Sequence, residues 1–450
     1  MTAGERPGPL DRLLGLFSEV RPGEAGQALL MLANVFLILV SYYVIKTVRE
    51  PLILTTAVPE FLRAVGIRGP AEVKTYAAAG QALVLMAFVP AYSWFASRVE
   101  RRRLVLGVSL FFVANILLFA LAVAAGLPFV GVLFYIWVGF FSLSVIAQFW
   151  SYANDIYTRE AGTRLFPIIG VGATAGSPLG AGIAERMFEA GLPPSGMLVL
   201  AAGLLLLSAA LYNAVHSGAP ATAAAPDAAR ALAGRDGFAL VFRSRYIGLI
   251  AVLLVLLNVV NTLGEYVLSR LVVAEAASRQ AADPAFDGNA YIGAFYGSYF
   301  FWVNVAAVLL QAFAASRLVK RFGLAGVLLA LPLIALGAYG FVAVGATLAI
   351  VRWAKTAENS TDYSIMNTAK QLLWLPTTPE EKYKAKQAVD GFFVRLGDLA
   401  AALLVFVGTS HLALGVRGFA LVNLATVLLW LGVAALLLRA HARLCQRGGC

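Results

Sequence analysis

The sequence predicts an all-α polytopic membrane protein: twelve transmembrane helices arranged as two pseudo-repeated six-helix bundles. Three observations predict it. The 450 residues are 60% apolar and only 13% charged, with a mean hydropathy of +0.80, whereas soluble domains sit near ~45–50% apolar and ~25% charged. Runs of about 20 mainly apolar residues, the length that crosses a bilayer, recur along the whole chain. Lys and Arg alternate between the connections, with 23 on one side, seven on the other and five of the 35 inside the runs. That asymmetry assigns the richer side, and both termini, to the cytoplasm of an integral inner-membrane protein. It also accounts for the net charge of +11 through topology and anionic lipid, so nucleic-acid binding is not needed to explain it.

The first six spans fall near 27–48, 74–97, 103–125, 128–152, 165–188 and 195–215. The second six fall near 246–268, 291–316, 323–343, 346–371, 388–411 and 416–438. Runs this long favour a helical bundle over a barrel, whose strands alternate over only ~10 residues. The 24 mostly polar residues before span 1 do not read as a cleavable signal. Cys445 and Cys450, the only cysteines, lie in the terminal tail and give no disulfide framework for the bundle. In span 5, Gly172, Gly176 and Gly180 recur every fourth residue, a spacing that lets helix backbones approach closely and so predicts a packing seam.

The stretch HSGAPATAAAPDAARALAGRDG (216–237) breaks the hydropathy at mid-chain and reads as the core of a cytoplasmic linker, 216–245, between halves 1–215 and 246–450. The halves resemble each other. Ala-Ser-Arg in FASRVERRR (95–103) and in AASRLVKRFG (314–323) are 219 residues apart, and YYVIKT (42–47) aligns with EYVLSR (265–270) at an offset of 223. A nearly constant offset indicates duplication, which is the plan of the major facilitator architecture, with a substrate path between two bundles. The basic loops at 98–103 and 317–321 are similar to that architecture's signature after its second helix; plain positive-inside anchoring explains the same arginines.

Charged side chains inside the spans are the strongest functional signal. One at mid-bilayer costs roughly 2.5–3.5 kcal/mol, so four unpaired would cost about 10 kcal/mol, a whole domain's net stability. Span 1 carries Lys46, Arg49 and Glu50, span 4 ends on Asp155, and span 7 carries Glu265. Span 10 carries Arg352, Lys355, Glu358 and Asp362, with Lys370 at its end, and span 11 carries Lys386, Asp390, Arg395 and Asp398. These groups must face one another or a water-filled cavity. Local explanations stand beside that one: Lys46 and Glu50 share a helix face, and Lys355, Glu358 and Asp362 have the spacing of an intrahelical charge ladder. Lys46 and Arg49 are also placed to snorkel, and Lys386 to be simply cytoplasmic. Several cations in one polar cavity would suit a polyanionic substrate.

Several short motifs, in order, resemble the ATP:ADP antiporters, the nucleotide transporters of plastids and intracellular bacterial parasites. Lys46, Arg49–Glu50 and LILT (52–55) match that family's first-helix pattern, and FWSYANDI (149–156) is similar to its stretch closing helix 4, with Asp155 at the acidic position. Glu265 falls where the family is acidic in helix 7. YSIMNTAKQLLWLP (363–376) resembles the segment that places Lys370 on its lysine. KAKQAVD and RLG (384–390, 395–397) resemble the block that aligns Lys386, Asp390 and Arg395. Asn367 and Gln371 replace an Asp and a Glu, and Asp398 replaces a Lys, a reversal of charge.

The resemblance implies exchange of nucleotides by alternating access, with the nucleotide as cargo rather than cofactor. Its substrate-binding residues would be Lys46, Arg49, Asp155, Glu265, Lys386 and Arg395. Gating ion pairs would come from Glu50, Lys355, Glu358, Asp362, Lys370, Asp390 and Asp398. Tyr42, Tyr43 or Phe392 would stack on a base. No Gly-rich loop with Lys-Ser/Thr is present, so no hydrolysis is expected. His216, His411 and His441 are scattered, so neither a metal site nor a nucleophilic triad is expected. The expected partners are the bilayer and an anionic small molecule, with the chain a monomer. The alternative is a proton-coupled carrier of another small organic anion with Glu265 or Asp155 titrating; a module without transport, serving assembly or sensing, comes third.

Overall fold

The computed structural model describes residues 10, 14, 18–64, 66–96, 101–218 and 235–446. Arg98 after span 2, the side chains of Arg101, Arg102 and Arg103, residues 219–234 of the linker and Cys450 lie outside what it describes. The described residues form helices and no strand. In chain order they are α1 (Glu24–Leu54), α2 (Glu60–Ala64), α3 (Pro70–Ala96), α4 (Arg101–Ala124), α5 (Val130–Ile156), α6 (Arg159–Glu189) and α7 (Pro194–Gly218). Then come α8 (Arg235–Arg243), α9 (Arg245–Ala282), α10 (Gly288–Leu309), α11 (Ser316–Ala343) and α12 (Leu348–Thr361). The last are α13 (Asn367–Leu373), α14 (Lys386–Ala388), α15 (Val394–Ser410) and α16 (Val416–Leu444).

Each predicted span falls on helical structure. Nine helical stretches among the described residues are long and apolar enough to cross a membrane. One of them, Gly288–Ala343, is 56 residues long and covers two predicted spans. The connection expected at 317–322 is itself helical, and the break falls at Gly323, whose φ of 61° only glycine adopts without strain. The charged span 10 is not among them, because the helix over 348–373 carries Arg352, Lys355, Glu358, Asp362 and Lys370; its geometry changes after the 14 residues of α12.

That change is a π-helical turn, in which the wider loop of backbone accommodates one extra residue. Such turns occupy Leu310–Ala315, Asp362–Met366, Glu381–Ala385 and Val389–Phe393. They rotate every later side chain around its helix, and they concentrate at functional positions in helical proteins. Here they lie in spans 8, 10 and 11 and the turn leading into span 11, and two of them contain charged candidates.

Contacts gather the chain into two compact units. The first comprises residues 1–52, 94–226 and 293–301, the second 53–93, 227–292 and 302–450. In the first unit the glycine stripe of α6 packs on α1. A Cβ on Gly172 would stand 2.3 Å from the Leu32 carbonyl oxygen, one on Gly176 2.7 Å from that of Phe36, and one on Gly180 2.7 Å from that of Val40. Three glycines at four-residue spacing thus meet three carbonyls at the same spacing. The seam predicted from the sequence is a backbone-on-backbone contact. Asn34 and Ser41 extend the packing of α1 by donating to the Ser208 and Ala201 carbonyls of α7 at 2.8 Å each. In the second unit, α9, α11, α13, the residues around Val389 and α16 share one apolar core that includes Trp430, Tyr339 and Phe393.

Because backbone cannot retreat as a side chain can, Gly176→Ala is expected to cost about 1–3 kcal/mol. Gly170→Ala, where nothing lies within 4 Å, should be neutral or gain up to about 1 kcal/mol of helix propensity. Thermal melts of the two variants in detergent check this; equal melting temperatures would contradict the seam.

Candidate functional site

Each unit holds its own group of charged and aromatic side chains within apolar helices. In the first unit the group stands on α1, where Tyr42, Tyr43, Lys46, Arg49 and Glu50 follow the three- and four-residue steps of a helix face. Lys46 Nζ lies 4.3 Å from the centre of the Phe300 ring and 5.1 Å from that of Tyr43. The Arg49 guanidinium sits 4.3 Å over the Tyr135 ring of α5. Its Nη2 donates to Glu50 Oε1 at 2.6 Å and its Nε at 3.1 Å. The Glu50 side chain is buried, while that of Arg49 is 13% exposed. Ring faces and one carboxylate offset the desolvation of these cations. An arginine held this way keeps a planar edge of N–H donors, the geometry that suits a phosphate. Tyr42 and Tyr43 meet edge to face at 5.1 Å.

Asp155 does not share this pocket. It closes α5, 20 residues beyond Tyr135, which is about 30 Å at the rise of an α-helix. It lies half-buried one turn after Tyr152, whose ring packs on Tyr212 at 4.1 Å. Asp155 therefore does not hold Lys46 or Arg49 directly, although the resemblance groups the three as substrate-binding residues.

In the second unit the polar stripe of α9 organises three levels. Uppermost along the helix, Glu265 stands 3.8 Å from Lys74 and 4.0 Å from Lys355 and accepts from Asn359 Nδ2 at 3.1 Å. Lys74 also donates to Ser269 at 3.0 Å, and Lys355 to Glu358 at 3.0 Å and to Asn261 at 3.2 Å. The Tyr339 hydroxyl donates to Glu358 at 3.0 Å. On the next residue of α9, the Tyr266 hydroxyl donates to Glu72 at 2.9 Å and accepts from Arg270 at 3.2 Å. Lys74 and Lys355 thus answer Glu265 and Glu358, and the Tyr266 hydroxyl links Glu72 to Arg270. Gly264 makes the room, since a Cβ there would lie 2.0 Å from the Tyr339 oxygen and 2.8 Å from Lys355 Nζ.

At the second level, Asp398 of α15 accepts from Thr262 at 2.9 Å and pairs with Arg395 at 3.5 Å. Close approach of α15 to α9 at Gly397, where a Cβ would lie 2.7 Å from the Val255 carbonyl oxygen, sets this contact. The third level joins spans 10 and 11: Lys370 pairs with Asp362 at 3.1 Å, and Lys386 donates to Gln371 at 3.0 Å. Asp390 stands in the field of Lys386 and Lys370. The ladder expected from Lys355, Glu358 and Asp362 is therefore divided. Its first pair forms within α12, and the π turn at 362–366 directs Asp362 to Lys370 instead. Phe392 is committed to packing, with its ring 5.2 Å from that of Phe238.

Lys74 and Glu72 were missed because they begin a span and read as outer-loop charges. Helix α3 starts earlier, at Pro70, and buries both, Lys74 to 5% and Glu72 to 5% exposure. Their only sequence signal was a Lys and a Glu two residues apart beside an apolar run. Tyr339, Asn261 and Asn359 gave none, since neutral polar residues are common in spans.

Breaking the most buried pair should be costly. Lys355→Met is expected to destabilise by about 3–5 kcal/mol because it strands Glu358, and the double variant Lys355→Met/Glu358→Gln should recover part of that loss. Denaturation of the single and double variants measures the coupling; additive losses would contradict the pairing.

Residues 340–441, the stretch that carries the lower levels of the second group, match the family described as TLC ATP/ADP transporter. ADP,ATP carrier protein 1 of Chlamydia muridarum is 25% identical, with 58% of this chain and 55% of that protein covered. The protein of the same name from Chlamydia pneumoniae is also 25% identical, with 58% and 57% covered. The chain therefore spans a little over half the length of these relatives. Among solved structures, the nucleoside transporter NupG is similar with a TM-score of 0.61 at 14% identity, covering 90% of this chain and 98% of that one. The POT family transporter PepTSo is similar with a TM-score of 0.64 at 14% identity, covering 92% and 98%. The chain is a polytopic helical membrane protein with the fold of those transporters, and its residues 340–441 are similar to the TLC ATP/ADP transporter family.

Proposed function

We propose that the protein exchanges nucleotides of the ATP/ADP kind across the inner membrane, with both termini cytoplasmic and the halves 1–215 and 246–450 joined by the linker 216–245. The observation that carries this reading is that the TLC match, 340–441, contains Lys355, Glu358, Asp362, Lys370, Lys386, Asp390, Arg395 and Asp398. The C-terminal candidates thus lie within the stretch that is similar to that family. Lys46, Arg49 and Lys386 contact phosphate oxygens, with Arg395 assisting.

Each of these cations is held locally, Lys46 by the rings of Phe300 and Tyr43, Arg49 by Glu50, Lys386 by Gln371 and Arg395 by Asp398. A polyphosphate competes for the same N–H donors and releases those contacts. Substrate binding thereby triggers rearrangement, which makes counter-substrate necessary. Glu265 holds Lys74 and Lys355 and acts as a gate beside the site rather than as a phosphate ligand. The charge reversal at Asp398 is compensated on the spot by Arg395 and Thr262.

A second reading, proton-coupled transport of another organic anion, is favoured by one observation. Glu265 is 25% exposed between two lysines, so protonating it would remove the negative charge the two share. Proteoliposomes separate the two. Uptake of labelled ATP that requires internal ADP supports exchange; uptake driven by a pH gradient without counter-substrate supports the second reading.

Losing a charge-assisted phosphate contact costs about 1.5–3 kcal/mol, so Arg49→Ala and Lys386→Ala should each lower ATP uptake about tenfold or more. Unchanged uptake in either variant removes that residue from the site.

A further inference from the structure

The nine-residue helix α8 immediately precedes the long span α9, and its job is not explained by transport. Its inner face is fixed to the unit. Val241 is 3% exposed, and a Cβ on Gly237 would lie 2.6 Å from the Lys384 carbonyl oxygen. The Phe238 ring packs edge to face on Phe392 at 5.2 Å. With the helix docked so closely, its outer face is a defined surface. That face carries Ala239 and Phe242, both exposed, Phe242 to 79%. Two exposed arginines, Arg243 and Arg245, border it.

The helix after α8 sets the position of this face. Ser244 alone separates α8 from α9; it is extended, with φ −96° and ψ 111°, and caps α9 by accepting from the Ile247 N–H at 3.4 Å. Arg245 is already the first residue of a 38-residue helix apolar enough to cross a membrane. One extended residue turns the chain at the level where that span begins, so the helix before it cannot lie far from the membrane surface. An aromatic face bordered by arginines is the composition of a helix lying in the headgroup region of an anionic leaflet.

We propose that α8 is an interfacial anchor: Phe242 inserts at the boundary of headgroups and acyl chains, and Arg243 and Arg245 bind the phosphates of anionic phospholipids on the side where α9 begins. Because α8 is docked beside Lys384 and Phe392 at the start of span 11, lipid bound here bears on the part of the chain that carries Lys386.

The test uses the full chain carrying Cys445→Ser, Cys450→Ser and Ala239→Cys with a spin label, in phosphatidylcholine nanodiscs with and without phosphatidylglycerol. The label should be shielded from aqueous nickel and accessible to oxygen, as at headgroup depth. Arg243→Gln and Arg245→Gln should each lower phosphatidylglycerol retention by roughly fivefold, without lowering the melting temperature. A label as open to nickel as one in water overturns the proposal. Retention of phosphatidylglycerol unaltered by both substitutions overturns it as well. Dipolar coupling between labels on two copies would show that a second chain covers the face, and would overturn it too.

Discussion

The constraint on which the structure depends is the cost of charge in hydrocarbon. In each unit it is met nearby. Arg49 is answered by Glu50 and the face of Tyr135, Lys46 by Phe300 and Tyr43. Lys355 is answered by Glu358 and Asn261, Lys370 by Asp362 and Arg395 by Asp398. Each arrangement stabilises one conformation of its helix, and the stabilisation is lost when the partners separate. In the proposed function, a ligand that replaces the internal partner releases that conformation. The same chemistry therefore serves folding and, in the proposed exchange, coupling.

The π turns decide which partners meet. In α12 the regular spacing sets Lys355 beside Glu358, and the extra residue of the turn at 362–366 sends Asp362 toward Lys370. In span 11 the turn at 389–393 lies between Lys386 and Arg395, so these two cations do not follow the register of one straight helix. The adjoining rings of Phe392 and Phe393 are turned onto α8. Close approach at Gly264 and Gly397 then brings α9 within reach of both helices. Small residues and wide turns, rather than charge alone, compose the polar levels of the second unit.

Reading charged residues off spans worked where the span boundary was right. Glu265, Lys355, Glu358 and Asp398 do meet polar partners inside their unit. Lys74 and Glu72 escaped because positive-inside counting treats the first turn of a span as loop, whereas α3 starts earlier and buries it. Asp155 was grouped with the cations of span 1 because hydropathy says which helix a residue is on, not which end of the neighbouring helix it faces.

The sequence by itself determined the helical membrane fold, the order of spans and the packing seam of α6, because hydrophobic length and glycine spacing act locally along the chain. It also marked the charged helices, since a bilayer leaves few reasons to keep a charge. Only the tertiary structure decided the pairs. Whether Glu265 answers Lys74, or Asp362 answers Lys370 and not Lys355, depends on a few ångströms of helix approach and on single-residue insertions in the turn. Those are set by packing between segments far apart in the chain.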